Sequence, residues 1–196
     1  MKKVCALFGI MLAIVATGIM VNVKQKRMQE ELASQVLRFH VLANSDSEED
    51  QNLKMKVKEQ VIAYMKRELP QSDSLETTKL WAKTHLEEIE TVSKQVIRKE
   101  GYLYSVKAEV TNSSFPDKSY GDVTFPAGEY EALRIEIGEA KGQNWWCVLY
   151  PNLCFIDSVH AVVPKEGKQD LKRVLDEETY EMVTATTRFK IGWFFF

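Results

Sequence analysis

Two places in this sequence hold residue types that could do chemistry. The first is Cys147 and Cys154, seven apart across Pro151-Asn152. A disulfide closing a small loop, a free nucleophilic Cys147 and two buried structural thiols all fit that spacing. No base adjacent to Cys147 is identifiable in the sequence, so the disulfide is the favoured reading. The second place is the group His40, Asn44, Asp46 and Asp50, gathered where a strand gives way to a helix. Acids are stabilised at a helix N-terminus by its unpaired N–H groups and dipole, so capping plus one exposed strand histidine accounts for the group without a ligand. One imidazole and two or three carboxylates could also hold a cation. Their spacing follows neither a His-Glu-x-x-His nor a calcium-loop pattern, and no metal is expected.

Other catalytic signatures are missing. The chain has no Gly-x-Ser-x-Gly, no Asp-Thr-Gly or Asp-Ser-Gly, and no glycine-rich phosphate loop. No catalytic residue, cofactor or small-molecule substrate is therefore assigned. Trp145 and Trp146 alternate across a strand and cannot share one core. Either one is exposed at a binding surface, or the strand is covered on both faces.

The elements that position these residues follow from periodicity. Over Val36 to Ala43, Leu37, Phe39 and Val41 alternate with Arg38 and His40, a strand pattern stopped by Asn44-Ser45-Asp46-Ser47. Ser47-Glu48-Glu49-Asp50 resembles a capping box with Asp in place of Glu or Gln. Leu53, Val57, Val61, Met65 and Leu69 then recur at four-residue steps, which predicts a helix from Glu48 to Leu69 ended by Pro70. A second helix is expected from Ser72 or Asp73 to Gly101. After it the period changes to two. Tyr104 to Val110 and Leu133 to Ile137 alternate, Asn112 to Lys118 is expected as a loop, Tyr120 to Phe125 as one short strand, and Gly138 to Gln143 as a hairpin turn. Trp145 to Tyr150 is apolar on both faces and is expected as a central or fully covered strand. A last helix is expected over Asp170 to Val183. The predicted architecture is α+β: a strand, two helices, an antiparallel sheet of about four strands and a C-terminal helix, with the helices on one sheet face.

Charge and hydropathy bound the setting. The net charge is −2 over 196 residues. Lys2, Lys3, Lys24, Lys26 and Arg27 all precede the first acid, Glu30, so the remainder is acidic. An acidic domain without a basic stripe is a poor partner for nucleic acid. Val4 to Val23 is apolar apart from Thr17 and Asn22, and as a helix it would reach about 30 Å, one hydrocarbon core. With Lys2-Lys3 before it, residues 1–27 fit a signal peptide or an uncleaved signal anchor. The weak cleavage site at Ala16-Thr17-Gly18 favours the anchor. Residues 28–35 are a linker or helical lead-in, 36–187 an extracytoplasmic α+β domain, and 188–196 an aromatic tail. Export would place Cys147 and Cys154 in a disulfide-permitting compartment.

Three stretches carry a resemblance. Arg38-Phe39-His40-Val41-Leu42-Ala43-Asn44-Ser45-Asp46-Ser47-Glu48-Glu49-Asp50-Gln51, then Phe125-Pro126-Ala127-Gly128-Glu129-Tyr130-Glu131-Ala132-Leu133-Arg134, and then Gly142-Gln143-Asn144-Trp145-Trp146-Cys147-Val148-Leu149 with Leu153-Cys154-Phe155 resemble, in order, the stage II sporulation protein R family of endospore-forming bacteria. The resemblance spans about Arg38 to Asp157. It implies a protein made in the forespore and exported into the intermembrane space of the sporulation septum. There it would activate a membrane-embedded aspartic protease of the mother cell, which processes the precursor of sigma factor E. The resemblance supplies no catalytic residues. Arg38, His40, Asn44, Asp46, Asp50, Trp145 and Trp146 are the candidate partner-binding residues. A signalling ligand that is no enzyme is the leading expectation. The alternative is an extracytoplasmic hydrolase acting on cell wall or partner, with His40, Asp46 and Cys147 as its first candidates.

Overall fold

The computed structural model describes residues 2–69, 74–155, 163 and 165–185. The expected aromatic tail, 188–196, lies outside them. No proline interrupts the first 35 residues, and helix α1 runs unbroken from Lys2 to Gln35. The stretch 28–35 thus continues the helix instead of forming a flexible link. Leu32 is fully buried against the domain, whereas Met11, Leu12, Val15, Ile19, Met20, Val21 and Val23 are all exposed. Among the described residues no helix is long and apolar enough to cross a membrane. The side chains of residues 2–10, 13 and 14 lie outside the description, so that statement covers only part of Val4 to Val23.

The chain is α+β. Four strands, β1 (Leu37–Leu42), β2 (Val106–Phe115), β5 (Gly128–Ile137) and β6 (Asn144–Tyr150), form one sheet in the order β2-β5-β1-β6. β1 runs parallel to β5 and antiparallel to β6, and β2 is antiparallel to β5. Several expectations are corrected here. The sheet is mixed and is not an antiparallel meander. β2 continues to Phe115, through part of the expected loop. Tyr120 to Phe125 is not one strand: β3 (Lys118–Tyr120) and β4 (Val123–Phe125) pair as a separate hairpin. The segment 138–143 is no hairpin turn, because β1 lies between β5 and β6. The mixed pairing and the separation of β5 from β6 share one cause. All six residues of β1 are buried, and so apolar and polar positions alike sit at the centre of the sheet. Local alternation cannot reveal that placement.

Helices α2 (Glu48–Glu68), α3 (Leu75–Thr84) and α4 (Leu86–Lys99) cover one face of the sheet. Leu53, Val57, Val61 and Met65 of α2 are all buried there, as their spacing requires. The expected second helix is broken at His85, whose φ is −114°. Thr84 Oγ1 donates to the Leu80 and Trp81 carbonyls, and the His85 ring lies 2.8 Å from the Trp81 carbonyl. Side chains thus compete for the backbone groups that would continue the helix.

The other face is covered too, against expectation. The end of α1, the β3–β4 hairpin, α5 (Lys165–Val174) and α6 (Glu177–Thr184) enclose a second core with Phe115, Tyr130 and Val148. The expected single helix over Asp170 to Val183 is two, because Asp176 caps α6 through the Thr179 N–H at 2.9 Å. The Thr179 hydroxyl, donating at 2.6 Å, with the Thr179 N–H and Gln35, holds its carboxyl down at about 2.

Candidate functional site

The link from β1 to α2 is tied to the segment between β5 and β6. Ser47 caps α2 by accepting the Asp50 N–H at 3.2 Å. Asp50 does not complete a reciprocal box with Ser47. Its carboxylate accepts from Asn44 Nδ2 at 2.8 Å and Ser45 Oγ at 2.6 Å, and it is only 5% exposed. Burial pushes this carboxyl upward, but bonds from Ser45, Asn44 and Tyr104 outweigh it and hold the group below the usual carboxylate range. From the other side, the Glu139 N–H donates to Asn44 Oδ1 at 3.0 Å and the Gln143 N–H to Asp46 Oδ1 at 2.6 Å. Lys54 Nζ, itself buried, donates to the Gln143 carbonyl at 2.9 Å. Burial lowers the Lys54 ammonium, and the Asp46 charge opposes that shift.

Two glycines allow this close fit. A Cβ at Gly142 would lie 2.1 Å from the Ser45 carbonyl oxygen, and one at Gly138, where φ is +60°, would lie 2.2 Å from Asn44 Oδ1. Asp46, Ser47, Glu48 and Glu49 remain exposed. The junction is therefore a rigid, self-bonded platform that presents acids to solvent.

Arg38 and His40 occupy the second sheet face, and both are buried. The expectation of an exposed strand histidine is corrected: His40 is 3% exposed. Its ring stacks on Trp146 at 5.0 Å and touches Phe115 at 5.1 Å, and neither ring nitrogen has a hydrogen-bond partner. Burial, with Arg134 and Arg38 nearby, pushes its pKa down to about 3, so the imidazole is neutral at physiological pH. Arg38 donates from Nε to the Cys147 carbonyl at 3.1 Å and from Nη2 to the Tyr120 hydroxyl at 3.1 Å. Its guanidinium lies over Phe115, Tyr130 and Phe125 at 4.4, 4.9 and 5.0 Å. This cation is held by aromatic faces and neutral acceptors rather than by a carboxylate.

The two tryptophans part as alternation requires. Trp145 meets Phe39 edge-on at 5.6 Å on the α2 face, with Lys58 Nζ 5.2 Å from its ring. Trp146 lies on the opposite face against His40. Both are half-buried, so each face of β6 carries one partly exposed indole. β6 is an edge strand among the described residues, not a central one, and its two faces are covered over Cys147–Tyr150. Cys147 and Cys154 are joined as a disulfide, with Cα atoms 5.6 Å apart.

The candidates therefore fall into three settings. Asn44, Asp46 and Asp50 build the junction, Arg38, His40 and Trp146 build the second core, and Trp145 borders the first. The hydrolase candidates do not converge. Cys147 is bonded to Cys154, Asp46 holds the Gln143 N–H, and His40 faces rings. Among the described residues no group of three or more His, Cys, Asp or Glu is placed to hold a metal ion. Sequence reasoning missed Lys54, Tyr104 and Gln143 as junction partners. Gly138 and Gly142 were the available signal, since a residue without a Cβ permits close backbone approach.

The family model described as Stage II sporulation protein R (spore_II_R) matches residues 33–160, which hold the whole sheet, the junction and the disulfide. A curated relative from Bacillus subtilis (strain 168), named Stage II sporulation protein R, is 37% identical over 164 residues, covering 83% of this chain and 73% of its own. No solved structure matches.

Proposed function

This chain belongs to the stage II sporulation protein R family, and from that premise we propose that it is an exported signalling ligand. It acts from the intermembrane space of the sporulation septum on a membrane-embedded aspartic protease of the mother cell. The activated protease then processes the precursor of sigma factor E. Family membership over residues 33–160 is the observation that carries this reading.

The geometry supports it by giving each hydrolase candidate another task. A nucleophile needs a base within hydrogen-bond reach. Cys147 has its sulfur in a disulfide, and His40 has no polar partner for either ring nitrogen. The acids at the junction spend their oxygens on backbone and side-chain donors, as structural caps do. What the domain offers to solvent is shape: an acidic platform at Asp46–Glu49 and a strand carrying one indole on each face.

Sidedness tests the reading. The full chain is added to either side of vesicles that carry the protease. Processing should begin when the chain is added to the outer face, and addition to the cytoplasmic face should leave the precursor intact. Equal processing from both faces, or from neither, would overturn the proposal.

A further inference from the structure

The end of the sheet remote from α1 carries an open cleft beside the junction. α1 meets the sheet at the start of β5, where Gln29 Nε2 donates to the Glu129 carbonyl at 3.4 Å. β5 then runs ten residues, about 30 Å, to the opposite end. There the Gly138 N–H donates to the Ser105 carbonyl at 2.9 Å, which ties the loop 100–105 to the segment 138–143. The Tyr104 hydroxyl, bonded to Asp50, ties the same loop to the start of α2. With residues 4–23 in the chain's own membrane, as the sequence predicts, this end points away from that membrane and toward a partner across the gap.

Lys94, Arg98, Leu103, Tyr104 and Ser105 line the cleft, whose volume is about 240 Å³. Small-molecule sites run to roughly 300–1,000 Å³, so this one suits a single side chain of a protein partner. Leu103 is 93% exposed, the most exposed large apolar side chain among the described residues. The Tyr102 and Tyr104 rings stack at 5.4 Å on either side of it in sequence and hold the loop that presents it. Positive charge lies beside this apolar spot. Lys94 is paired with Glu90 at 2.7 Å. Arg98 is exposed and has no carboxylate partner among the described residues, and its neighbour Glu100 is held by Lys56 at 2.5 Å. A free guanidinium of this kind is matched by a carboxylate, which it can grip with two parallel bonds. An anionic lipid surface carries the same charge as that carboxylate. It would also face the exposed acids Asp46, Glu48 and Glu49 of the adjoining platform and be repelled by them. We infer that the cleft docks an extracytoplasmic segment of the partner protease, with an apolar side chain against Leu103 and Tyr104 and a neighbouring carboxylate on Arg98. This inference rests on the signalling reading and names the contact by which the chain engages its partner.

Arg98 and Leu103 are both exposed, so substitutions there test the contact and spare the fold. The full chain and its Arg98→Glu and Leu103→Ser variants are each titrated into vesicles carrying the membrane-embedded aspartic protease. Binding is read by co-sedimentation and function by precursor processing. Each substitution should raise the half-saturating concentration at least tenfold in both readouts, at an unchanged melting temperature. Leu80→Ser, at a leucine 64% exposed on α3, should leave it as it was. Parental half-saturation for both cleft variants would overturn the cleft inference and leave the signalling reading standing. Parent binding to bare phosphatidylglycerol vesicles that both substitutions abolish would overturn the inference in favour of a lipid occupant. A parent chain that neither binds nor triggers processing, with a protease shown active by other means, would overturn both the inference and the signalling reading.

Discussion

His40 is neutral in the fold because it is buried among rings beside two arginines, and that has a consequence in acid. Its folded pKa, about 3, lies below an unfolded value of about 6.5, so the unfolded chain binds the extra proton as pH falls. Stability from this residue is present above about pH 6.5 and is lost progressively toward pH 3, at up to about 1.4 kcal/mol per pH unit. Urea unfolding at a series of pH values should show a shallower acid slope for His40→Phe than for the parent. Equal slopes would mean that the imidazole is charged in the fold. Burial also disqualifies His40→Ala as a probe of contact, since it opens a cavity between Phe115 and Trp146. Asp46 is the cleaner probe. It is exposed, and Asn keeps an acceptor for the Gln143 N–H, so Asp46→Asn should cost at most about 1 kcal/mol. Lost signalling at an unchanged melting temperature would place this acid against the partner. Normal signalling would remove it from the site.

At the scale of elements, the seam between the β1–α2 link and the segment 138–143 is a close backbone fit. Gly142→Ala forces a Cβ against the Ser45 backbone, which no rotamer change relieves. The expected cost is about 1–3 kcal/mol, read as a lower denaturant midpoint with an unchanged slope. The disulfide closes a short loop, so chain entropy limits its contribution to about 2–3 kcal/mol. Peptide mapping of exported protein without reductant should yield the Cys147–Cys154 linked peptide, and two freely alkylated thiols would contradict it.

These elements also show what the sequence made legible. The β1 alternation and the α2 stripe were readable because each is a local period. The break at His85 was hidden because apolar spacing continues through it. The parallel pairing of β1 with β5 was hidden because pairing partners 94 residues apart leave no local trace. Arg38 and His40 looked like a solvated face; the layer that buries them arrives from α1, the β3–β4 hairpin and the C-terminal helices.

For the whole molecule, two covered sheet faces leave the junction platform as a surface facing outward beside the candidate residues. α6 is fixed to α1 by Gln35 Nε2 donating to Asp176 at 3.1 Å and by Lys24 paired with Glu178 at 2.7 Å. The domain therefore sits on the end of α1 rather than swinging from a flexible link. On the proposed signalling reading, a chain presented in that way has to supply binding energy and not chemistry. Shifting a two-state partner from 1:99 to 99:1 takes about 5.5 kcal/mol of differential affinity, within the range of a few buried aromatic anchors. Titrating the full chain into a fixed amount of protease-bearing vesicles, and following precursor processing, tests this claim most directly. Ligand action predicts activation that saturates near stoichiometric occupancy and vanishes when the chain is washed away. A trace of chain that activates excess protease, with a covalent change that persists after its removal, would contradict the account.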